Sequence, residues 1–253
     1  MSPVFWQRQP KLPHPVQRFL AERTEAALAD PKDRALLVWP MVLGAPALRA
    51  AQPEGLAETD LLATAGPMLA AVGRPQPGPA WQDALARFPN TADRGAAGWV
   101  PHRIWDPMAA LVSLRSGVTL LALQGQPEDA RYGLASAVAL FNCALFHECH
   151  DALEPLWLEA EGALKAGLQG LILLTGGFHH LQLHNPRGMI SLWQDALALL
   201  APAGERLETP WGAVGFQIAA AAAAERLGWL EHYDGDMDLD PLWPMARPLW
   251  ELL

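Results

Sequence analysis

At 253 residues, with 51% hydrophobic and 18% charged side chains, the chain is long enough to bury a sizeable core and too apolar to stay unfolded. Its formal charge of −9, with nine acids against three arginines between Glu205 and Leu253, repels phosphate backbones and argues against nucleic acid as a partner. Met1–Pro13 lacks the apolar run of a signal peptide, and no apolar window approaches the roughly 20 residues that a membrane helix needs. Cys143 and Cys149 sit about 240° apart on a helix and cannot pair within it, so the expectation is a cytoplasmic protein with reduced thiols and no membrane contact.

Runs of β-branched residues are absent, while Ala and Leu recur with helical spacing, so the fold class expected is all-α. In chain order the pattern predicts helices over 15–29, 56–72, 80–88, 107–124, 128–159, 163–183, 186–200 and 210–232, with a short one over 241–252. Four starts carry a capping side chain before a first-turn proline: Asp106-Pro107, Asn185-Pro186, Thr209-Pro210 and Asp240-Pro241. Stretches rich in Pro and Gly over 40–55, 73–79 and 89–107 cut the first hundred residues into short pieces. The organisation expected is a loosely built helical module over 1–105, a helical bundle over 106–233 and an acidic tail over 234–253.

Five of the eight histidines fall between His147 and His184, which marks the hairpin of the helices over 128–159 and 163–183 as the place to seek chemistry. On the first helix Asn142, Phe146, His150 and Glu154 recur every four residues, so His150 and Glu154 share a face and can hold one edge of a divalent ion such as zinc or manganese. On the second, Gln169, Leu173, Gly176 and His180 form a ridge, and Gly176-Gly177 permits close backbone approach. A hairpin closing near Glu161 sets His150 and His180 roughly 12 Å apart along the axis, at about 1.5 Å per residue, which keeps them off one ion. Two polar layers follow, His150, Glu154 and Gln169 midway along, and Asn142, His180 and Arg187 at the far end. Glu148 and Asp151 point elsewhere and are candidate proton acceptors. Further metal ligands would have to come from another helix or from a second copy of the chain.

The ordered residues Asn142, Glu148, His150, Asp151, Glu154, Trp157, Gln169-Gly170, His180 and Asn185-Pro186-Arg187-Gly188 resemble the pattern of the bacterial and archaeal family called domain of unknown function 309, over about 136–201. Asp151 stands in place of that family's Glu, His147 where an aromatic is usual, and Pro155 where an acid is common. The resemblance implies a small helical domain, labelled a predicted metal-dependent hydrolase; on the spacing above, His150 and Glu154 would hold the metal. In that reading Glu148 or Asp151 is the base, and Asn142, Gln169, His180 and Arg187 contact a ligand. The competing reading is a non-enzymatic interaction or scaffold protein whose polar residues only specify helix register. The acidic run Asp234–Asp240 fails the calcium-loop pattern, having Leu239 where Gly and Met245 where Glu is required.

Overall fold

A computed structural model describes residues 14–29, 42, 58–71, 130–235, 238–243, 245 and 248–253. The chain divides into two compact units, one made mainly of 128–253 and the other mainly of 12–113. In the latter, α1 (His14–Ala29) buries Phe19, Leu20 and Leu28, and α2 (Glu58–Ala71) buries Leu61 and Ala65. The helices expected over 80–88 and 107–124 lie outside the described residues.

The unit holding 128–253 is mostly helical. The single helix expected over 128–159 is two, α3 (Ala130–Asn142) and α4 (Phe146–Glu159), broken where Ala144 adopts a φ of 57°. Burial explains the break. Every residue from Leu134 to Phe146 is buried, and turning the chain at 143–145 brings the Phe141 and Phe146 rings within 5.2 Å of each other inside one core.

From there α5 (Gly162–Gln182) runs back antiparallel to α4, as expected. Gln182 Nε2 donates to the Ala144 carbonyl at 2.9 Å, and Cys149 Sγ lies 3.7 Å from Thr175 Oγ1. Then α6 (Pro186–Leu200) returns along α5 from the predicted cap, with Asn185 Oδ1 accepting from the Gly188 amide at 3.1 Å. These two helices approach closely because α5 presents Gly170 to Leu200 and Gly177 to the indole of Trp193.

Thr209-Pro210 does not begin a helix. Thr209 Oγ1 donates to the Gly212 carbonyl at 2.7 Å and accepts from the Trp211 amide at 3.1 Å, closing a hairpin between β1 (Arg206–Thr209) and β2 (Gly212–Gly215). A Thr-Pro pair serves turns as well as helix starts, and Gly212 supplies the φ of 138° that this turn requires. The last helix, α7, therefore spans Gln217–Leu230. Likewise Asp240-Pro241 begins only a 3-10 turn, Asp240–Leu242, and the chain ends in β3 (Glu251–Leu252), antiparallel to β2 with Val214 opposite Leu252.

The described parts of 234–253, expected to be an acidic tail, contribute to the core. Leu242, Trp243, Trp250 and Leu252 are buried, and Trp250 stacks on Phe141 at 4.0 Å between ring centres. Phe178 joins this cluster edge-on to both Phe141 and Trp193. Arg226, fully buried on α7, donates to the Leu242 and Ala222 carbonyls, and loss of hydration pulls its pKa down to about 10. Among the described residues no helix is long and apolar enough to cross a membrane.

Candidate metal site

The core stripe of α4 is Phe146, Cys149, Leu153 and Leu156, mostly three or four residues apart. A ridge of residues four apart drifts about 40° around the helix at each step, so Phe146 faces inward while Glu154 has turned out to solvent. The interior layer expected from His150, Glu154 and Gln169 therefore does not form. Glu154 is exposed, His150 keeps 43% of its side chain exposed, and Gln169, off the core face of α5, is exposed as well.

What forms instead is a cluster on the outer face of α4. His150, Asp151 and Glu154 each offer a ligand atom, all within 4.8 Å of one another. His150 Nδ1 lies 3.3 Å from Asp151 Oδ1, and His147 Nδ1, one turn earlier, lies 3.2 Å from Asp151 Oδ2. Donor atoms around a tetrahedral zinc ion with bonds of about 2.0–2.1 Å stand roughly 3.3 Å apart, so His150 and Asp151 already hold that spacing. Glu154 is exposed, with a ligand atom within 4.8 Å of those of His150 and Asp151. Pro155 adds one more feature. It has no N–H to give to the Asp151 carbonyl four residues before it, which frees a backbone oxygen beside the cluster.

Residues 134–192 match the family model described as Domain of unknown function (DUF309). That segment is similar to DUF309 domains. It begins within α3, takes in α4 and α5, and ends in α6, somewhat short of the 136–201 expected at its far end. No curated protein and no solved structure matches the chain.

Within this segment the remaining expected residues disperse. Asn142 is buried and grips the Trp250 backbone, donating to its carbonyl at 2.9 Å and accepting from its amide at 2.8 Å. The α4–α5 register sets His180 level with the 143–145 break. There its Nδ1 lies 2.9 Å from Asn185 Nδ2, its ring against Gly188. Neither joins the other, so the far polar layer does not form. Arg187 is exposed. Glu148 turns one carboxylate oxygen into the protein, away from the cluster. Cys149 is fully buried, and loss of hydration drives its thiol well above the ordinary range.

Sequence reasoning put Asp151 off the metal face and gave His147 no part. The i, i+4 spacing of His147 and Asp151 was the signal that joins them.

Proposed function

We propose that the DUF309-like segment binds a divalent transition metal, zinc or manganese, on the outer face of α4 through His150, Asp151 and Glu154. The observation that carries this reading is the convergence of one imidazole and two carboxylates within 4.8 Å on little more than one helical turn. Three protein ligands leave coordination positions for water, and a bound ion lowers the pKa of such water, which is the chemistry a hydrolase requires. Two buried, reduced thiols fit a cytoplasmic setting.

The scaffold reading draws support from Asn142 and His180, whose polar atoms bond to backbone and capping groups that hold the fold together. Calorimetric titration of metal-free protein with zinc or manganese separates the two readings. Saturable binding that weakens in both His150→Ala and Glu154→Gln supports the metal site, since a lost ligand costs affinity. No saturable binding below millimolar metal leaves the scaffold.

A further inference from the structure

His147 and His179 lie outside the ligand set just described, yet their rings meet across two helices. His147 is on α4, with 58% of its side chain exposed, and His179 is on the last turn of α5, half-buried. Their ring centres are 5.5 Å apart with the planes inclined at 77°. With metal–nitrogen bonds of about 2.0–2.1 Å, two imidazoles on one ion hold their ring centres roughly 5–6 Å apart. The His147–His179 pair falls in that range, whereas His147 and His150, at 6.5 Å, do not.

Asp151 completes the arrangement. Its Oδ2 takes the Nδ1 side of His147 at 3.2 Å, which leaves Nε2 as the nitrogen available to a metal. A carboxylate holding the far nitrogen of a metal-binding imidazole fixes its tautomer and raises its basicity.

We propose that His147 and His179 form a second metal position, distinct from that of His150, Asp151 and Glu154, which clips α4 to α5. With two imidazole donors and no required carboxylate it selects nickel, copper or zinc over magnesium, calcium or manganese. The first cluster lies on one helix and pins nothing to its neighbour. An ion at the second joins both strands of the hairpin and stabilises the native chain by mass action.

The test is titration of the metal-free full chain with nickel alone, read by calorimetry and by unfolding temperature. The variants are His147→Phe, His179→Gln and Glu154→Gln. Wild type is expected to show a saturable nickel event and a rise in unfolding temperature. His147→Phe keeps an aromatic ring against His179 and, combined with Glu154→Gln to weaken nickel binding at the first cluster, should lose both effects, as should His179→Gln in that background. Glu154→Gln should retain both. Circular dichroism checks that His179→Gln folds. Should it not, the exposed His147→Phe decides. Nickel binding that survives His147→Phe in the Glu154→Gln background, that vanishes in Glu154→Gln alone, or that is absent from wild type overturns the proposal. A manganese titration of Glu154→Gln tests the first site separately, so either assignment can fail alone.

Discussion

Asn142 shows how one polar side chain commits a distant segment. Both ends of its amide are engaged by the backbone of Trp250, 108 positions along the chain. In Asn142→Leu the Trp250 amide and carbonyl are stranded in the core, at about 1–3 kcal/mol for each group. A lowered urea midpoint should report the loss, with faster amide exchange at Leu253, whose N–H donates to the Ala213 carbonyl. The thiols give a second expectation at this scale. Cys143 and Cys149 are buried, so the native protein should resist thiol reagents and react at both positions once unfolded. A fast native reaction at Cys149 would contradict its burial. That Asn142 is chemically loaded was legible in the sequence. Its partner was not, because Trp250 offers only backbone atoms, which no side-chain pattern reveals.

Among the elements, glycines set how closely helices pack. A methyl group at Gly177 overlaps the Trp193 ring, which is fully buried and has nowhere to go. Gly177→Ala should therefore cost roughly 1–3 kcal/mol through overpacking. Gly228 on α7 has open space around it, and Gly228→Ala should stabilise by about 0.5–1 kcal/mol through helix propensity alone. Denaturation of the two variants side by side checks both signs. The sequence disclosed α6 and its cap, since Asn185-Pro186 combines a capping acceptor with a residue that needs no donor. It disclosed neither the α3–α4 break nor the hairpin after Thr209. A segment buried on every side has no periodicity to interrupt, and Thr-Pro reads equally well as a turn or a helix start. The His150 cluster was partly legible for a related reason. Spacing named residues that share a turn, but the side of α4 facing the core depended on Cys149, Leu153 and Leu156, whose stripe winds the other way.

For the unit as a whole, the buried charge of Arg226 leaves a signature in pH. Its folded-state pKa of about 10 lies below the ordinary value, so the unfolded chain holds this proton more tightly. Below pH 10 the cost of burying the cation is present in full. As pH rises through 10 toward the ordinary value, stability relative to an Arg226→Met control should rise. Urea titrations of both proteins on either side of pH 10 check the sign. The seating of Trp250 on Phe141 and of β3 on β2 also bears on synthesis, which proceeds from one end only. However much chain precedes or follows this unit, Phe141 leaves the ribosome long before the residue that covers it, so the nascent domain displays an aromatic surface that helper proteins can grip. Ribosome-bound chains halted before Trp250 should remain open to protease, and those extended past Leu252 should close.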